Sequence, residues 1–217
     1  MHKSTAAGAT ALVVAPLVAI AGVAVTPTMS DDAARQVAAF TAHHSAMVLG
    51  FTILTLAVCL LIAGTAWLAL AVKEHAPKLA LTGGVLGIGG LLVVLFEDGV
   101  SAATPAIATG LNHAAATALI TRVHSGAITA LEPLSIVGDI GLALLGLAAV
   151  KTGAPRWTSI AIAVGALGEG VGFATGTKPL LLITFTVLLA GLAGACASLV
   201  PGPARLIRRD ERVVAAG

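Results

Sequence analysis

Five carboxylic acids stand in apolar surroundings that offer them no obvious partner. Glu97 and Asp98 close the run LLVVLFEDGV, Glu132 and Asp139 lie within ALEPLSIVGDIG, and Glu169 lies within GALGEGVGF. An ionised group in hydrocarbon costs about 2.5–3.5 kcal/mol on insertion scales, so such residues face a protein interior and are read first as functional. Glu132 and Asp139 are seven residues apart, which puts them on one helix face about two turns from each other. His124 precedes Glu132 by eight and comes within about 80° of it if the helix reaches back that far. A carboxylic acid in a dry apolar pocket stays neutral because ionising there is costly. It can then give its proton to an alkene or epoxide while a neighbour holds it in place. Exclusion of water protects the carbocation so formed.

The elements that position these acids follow from composition. Of 217 residues, 58% are apolar and 10% charged, and the mean hydropathy is +1.02. Soluble domains carry roughly 25% charged residues, so this chain cannot coat a water-soluble globule, and soluble enzymes and nucleic-acid binders are excluded. Apolar runs near 8–25, 46–72, 79–98, 127–150, 157–175 and 180–200 predict an all-α integral membrane bundle of six transmembrane helices. A signal peptide is the competing reading of the first run, which follows Lys3. Its length and the lack of a polar stretch before a cleavage site weigh against that. Residues 1–203 form one helical domain in this reading, and 204–217 a short basic tail.

Basic residues orient the bundle. With the N-terminus inside, cytoplasmic segments hold nine of the twelve, namely Lys3, Lys73, Lys78, Lys151, Arg156, Arg205, Arg208, Arg209 and Arg212. Arg35, Arg122 and Lys178 fall outside. The positive-inside rule then places both termini in the cytoplasm of a bacterial inner membrane. In that frame Glu132 lies about 8 Å deep, Asp139 near mid-bilayer and Glu169 about 20 Å from the inner end of its span. His43, His44 and the Glu97–Asp98 pair reach the same outer side. The acids and imidazoles therefore converge on a pocket opening outward, while the inner half of each span is nearly devoid of ionisable groups.

Two outer segments are more than loops. Residues 31–45 follow Ser30, an N-cap candidate, so the second span is expected to start early as helix. Residues 105–126 form either an interfacial helix or an extension of the fourth span. No duplication of halves is evident in the sequence, which argues against an inverted-repeat transporter.

Plainer roles compete for each residue. Glu97 and Asp98 fit a solvated helix end. Glu132, ahead of Pro133, fits a structural pairing with Arg122. Gly83-xxx-Gly87 is a small-xxx-small face for close helix contact, within the chain or in an oligomer. Gly168 and Gly170 flank Glu169 and would clear space beside it. Cys59 and Cys196 read as small buried hydrophobes. His43 or His44 with His113 or His124 is a conceivable haem pair, but all four sit near the surface, and no cofactor or metal is expected. HExxH, GxSxG, P-loop and DDxxD patterns are absent.

The run LVVAPLVAIAGVAVTPTMSDDAARQVAAFTAHHSAMVLGFTILTLAV, followed by KLALTGGVLGIGGLLVVLFEDG, resembles small bacterial multi-pass membrane proteins of similar span layout. Among such proteins are membrane-bound terpene cyclases of meroterpenoid and indole-terpenoid pathways. The resemblance covers nearly the whole chain and is compositional. It implies protonation of a prenylated, lipophilic small-molecule substrate by intramembrane Asp and Glu. Glu132, Asp139, Glu169 and Glu97 or Asp98 would then be the proton donor and its supports. Phe51, Trp67, Phe96, Phe173 and Phe185, with His124, are the candidates for substrate contact. Aromatics are only 3% of the chain, a thin supply of π faces for a cation. A proton-coupled transporter or channel using the same acids as a relay is the main rival. A non-catalytic membrane partner is the third reading, in which the acids are replaceable by amides.

Overall fold

A computed structural model describes residues 2–28, 32–123, 125–126 and 129–200, without the side chains of residues 2–4, 129 and 132. The expected basic tail at 204–217 lies outside the described residues, as does Ser30. Eight helices account for nearly all of the rest: α1 (His2–Val25), α2 (Ala33–Ala42), α3 (His44–Val72), α4 (Pro77–Thr109), α5 (His113–Val123), α6 (Thr129–Lys151), α7 (Arg156–Ala174) and α8 (Lys178–Leu199). Among the described residues there is no strand. Six of the eight helices are long and apolar enough to cross a membrane, so this is a multi-pass membrane protein.

The six long helices form a ring. Neighbours pack in the order α1, α3, α4, α6, α7, α8, and α8 returns to α1. Glycine lets the backbones approach. On α4, Gly83, Gly87 and Gly90 face Leu145, Gly141 and Gly138 of α6. Gly165, Gly168 and Gly172 of α7 face Leu188, Thr184 and Leu181 of α8. Gly22 and Gly64 seat α1 against α3 at Leu54 and Leu12. These glycines therefore make contacts within the chain.

Three boundaries differ from the sequence reading. The third span does not stop at Asp98 but runs to Thr109, so Glu97 and Asp98 are mid-helix residues rather than a solvated end. The second span does not begin early. A break at His43 (φ −130°) separates α2 from α3, and Asp32 is the cap, its Oδ1 accepting the Arg35 N–H at 2.8 Å. The segment 105–126 divides between the end of α4 and a separate α5.

A repeat emerges that the sequence reading did not detect. Asp32 caps α2 and Asn112 caps α5, eighty residues on, each through a side-chain oxygen to the N–H three residues later. Thr41 and Thr121 donate to the carbonyls of Val37 and Thr117, and Phe40 and Ile120 are the buried anchors. The α3 and α6 helices then end at Val72 and Lys151. Ala76-Pro77-Lys78 and Ala154-Pro155-Arg156 start α4 and α7. The unit is long–short–long, run twice in the same direction and followed by the α7–α8 hairpin.

Turns between long helices are defined by glycine. Gly176 (φ +61°) follows α7, with its N–H on the Phe173 carbonyl and the Thr177 N–H on the Gly172 carbonyl. Gly153 (φ +102°) does the same after α6. Both are Schellman turns, whose left-handed residue carries no Cβ penalty. Beyond the first of them, Lys178 Nζ donates to the carbonyls of Ala24 (2.8 Å) and Thr26 (3.0 Å), closing the ring where α1 ends.

Candidate functional site

All six long helices contribute to one cavity of about 280 Å³. Its walls come from Ala15, Pro16 and Ala19 of α1, Phe51, Leu54, Ala57, Val58 and Leu61 of α3, and Leu91, Val94, Glu97, Asp98 and Ser101 of α4. Ser135 and Asp139 of α6, Glu169, Gly170, Phe173 and Ala174 of α7, and Phe185 and Leu188 of α8 complete it. The wall segments of α1, α4, α6 and α7 lie toward the end of the bundle that carries α2 and α5. The volume is about twice that of an engineered apolar cavity that takes one benzene ring.

Four of the five singled-out acids thus reach a single chamber from three helices. The α4–α6 glycine seam brings Asp139 to it, one residue beyond Gly138. Gly170 then clears room for the Asp139 carboxyl: a methyl group on Gly170 would stand 3.4 Å from Asp139 Oδ2. Glu97 and Asp98 enter from α4, Asp139 from α6 and Glu169 from α7. Gly168, by contrast, packs on Thr184 and clears nothing for a ligand. The side chain of Glu132 and all of His124 lie outside the described residues.

The repeat shows what the fold itself needs at one of these positions. Ala76-Pro77-Lys78 aligns with Ala154-Pro155-Arg156 at an offset of 78, which pairs Gly87 with Gly165, Gly90 with Gly168 and Leu91 with Glu169. Leu91 and Glu169 both line the cavity. The helix packing accepts leucine in one copy, so the acid in the other is not dictated by architecture.

Comparison with protein-family models, with characterised proteins and with solved structures finds no match.

The aromatic candidates divide. Phe51, Phe173 and Phe185 line the cavity, and the last two meet edge to face with centroids 6.4 Å apart. Three of the chain's seven aromatic side chains therefore gather here. Phe96 is 51% exposed on the outside of α4 and does not reach the chamber. Trp67 packs over Gly8 in the α1–α3 seam, where a methyl group on the glycine would strike it. Phe173 and Ala174 are the exposed members of the wall and mark its mouth.

Other candidates fall elsewhere. His43 and His113 are exposed, His44 is half-buried at the start of α3, and none of them lines the cavity. Cys59 is exposed on α3, not buried as expected, because its helix is apolar on every side. Cys196 is buried, with its Sγ 3.8 Å from the Ala9 carbonyl.

Proposed function

We propose that the protein is a membrane-bound terpene cyclase that protonates an alkene or epoxide of a prenylated lipophilic substrate. The observation that carries this reading is the gathering of Glu97, Asp98, Asp139 and Glu169 in one apolar cavity with Phe51, Phe173 and Phe185. One carboxylic acid gives its O–H proton to the terminal double bond or to the epoxide oxygen, leaving a tertiary cation. An internal double bond attacks that carbon, closes a ring and passes the charge along. Loss of a proton to a carboxylate restores the acid, so the product is an isomer of the substrate and no cofactor is consumed. Aromatic faces and the remaining acids stabilise the cation, and the chamber keeps water from it. The reacting isoprene units fit the chamber, and the rest of the molecule leaves past Phe173 and Ala174.

In this reading the chain lies in a bacterial inner membrane with both termini cytoplasmic, as its basic residues dictate. The cavity then opens toward the outer leaflet. A proton-coupled transporter is the second reading, favoured by the repeated long–short–long unit, since transporters are commonly built from repeats. A relay needs groups at staggered depths. No ionisable residue other than Lys78 lies between Pro77 and Glu97, none between Asp139 and Lys151, and none between Arg156 and Glu169, which favours the cyclase.

Membranes containing the protein, incubated with a farnesylated aromatic substrate, test the proposal. A cyclised isomer that disappears in Asp139→Asn or Glu169→Gln supports it. Full turnover by the variant with all four wall acids changed to amides refutes the acid role.

A further inference from the structure

The cavity is electrostatically one-sided. Its walls hold, among the described residues, four carboxyl groups and no lysine, arginine or histidine. Among the described residues, no hydrogen bond or ion pair ties the carboxyls of Asp98, Asp139 or Glu169 to the protein. These half-buried carboxyls without protein partners are met by water or by a ligand. Carboxylates gathered in one small chamber repel one another. A positive charge in the chamber reverses that balance and favours the ionised forms.

The kind of cation follows from the walls. A small hard ion needs several oxygens converging on one point, and no three acids or imidazoles among the described residues could hold a metal. Beside the acids, the chamber is aliphatic and aromatic, with Phe51, Phe173 and Phe185 on different helices. Such walls suit a cation whose charge is spread over alkyl groups, which gains from aromatic faces and needs few hydrogen bonds.

We infer that this cavity is a binding site for a hydrophobic organic ammonium ion, its nitrogen among Asp98, Asp139 and Glu169 and its apolar substituent against the phenylalanines. The inference rests on the cavity being the substrate chamber of the cyclase reading, but not on turnover. Two ring-sized volumes hold something near an aryl-alkyl ammonium, and a longer substituent would extend past Phe173 and Ala174.

Benzyltrimethylammonium and neopentylbenzene have the same shape and differ in a positive nitrogen against a carbon. Each is titrated into the full chain in lipid nanodiscs, with binding read from the rise in unfolding midpoint and concentrations referred to the lipid phase. The expected result is saturable binding of the cation, about tenfold or more tighter than the hydrocarbon, and lost in the variant Asp98→Asn/Asp139→Asn/Glu169→Gln. Equal affinity for the two probes overturns the inference, as does undiminished cation binding by the variant. If the variant does not fold, the two probes on the unaltered chain still decide. Cation binding without cyclisation of the farnesylated substrate removes the cyclase reading alone. Cyclisation without a preference for the cation removes this inference alone.

Discussion

Gly138 meets Gly90 so closely that a methyl group on Gly138 would stand 3.1 Å from the Gly90 Cα. The next residue on α6 is Asp139 and the next on α4 is Leu91, both cavity walls. The two-glycine contact therefore sets how near α6 brings its acid to the chamber. Replacing Gly90 with valine should lower stability by about 1–3 kcal/mol through overpacking, read as thermal unfolding in detergent. Gly89 has open space around it, and Gly89→Ala should change the midpoint by little.

The glycines beside Glu169 should behave oppositely. Gly168 lies against Thr184, so Gly168→Leu should destabilise the α7–α8 hairpin by a similar about 1–3 kcal/mol. Gly170 faces the chamber, so Gly170→Leu should fold and elute normally while filling the space beside Asp139. Loss of ligand binding at unchanged stability is the expected signature, checked by thermal shift with and without benzyltrimethylammonium.

Amide replacements separate a functional acid from a structural one. Asp139→Asn and Glu169→Gln exchange an acid for an amide of nearly the same shape at positions where no protein hydrogen bond or ion pair is lost among the described residues. They should leave the unfolding midpoint unchanged or raised while abolishing turnover. An acid that holds the fold together would instead lower the midpoint by several degrees when neutralised.

The sequence displayed the spans and the acids but not the geometry between them. Each span is long and continuous in hydropathy, so all six were legible. Glu97 and Asp98 misled about the end of α4, because a polar pair lining an interior looks in sequence like a polar pair entering water. Phe96 and Phe51 could not be told apart, since helices apolar all round do not announce which side faces the protein. The same blindness hid Trp67 in the α1–α3 seam and exposed Cys59. The repeat is not legible in the sequence because few residues are identical across it. What persists is a cap, a buried anchor, a threonine bond and an Ala-Pro-basic start.

Lys178 ties the last helix to the end of the first through the carbonyls of Ala24 and Thr26. The cation also answers the negative end of the α1 dipole. Lys178→Ala should cost about 1–2 kcal/mol. Hydrogen exchange should speed up near residues 22–26 and remain unchanged in the α4–α6 seam.

A hydrophobic carbodiimide, which attacks carboxylic acids in apolar surroundings, tests the shared chamber most directly. Dicyclohexylcarbodiimide is applied to membranes, and intact mass and peptide mapping count and locate the adducts. Acids from α4, α6 and α7 facing one chamber of about 280 Å³ leave room for a single bulky acylurea. One adduct per chain is expected, distributed over Glu97, Asp98, Asp139 and Glu169 and suppressed by a cavity ligand. Chains carrying adducts on two or three of these helices at once would contradict a common site.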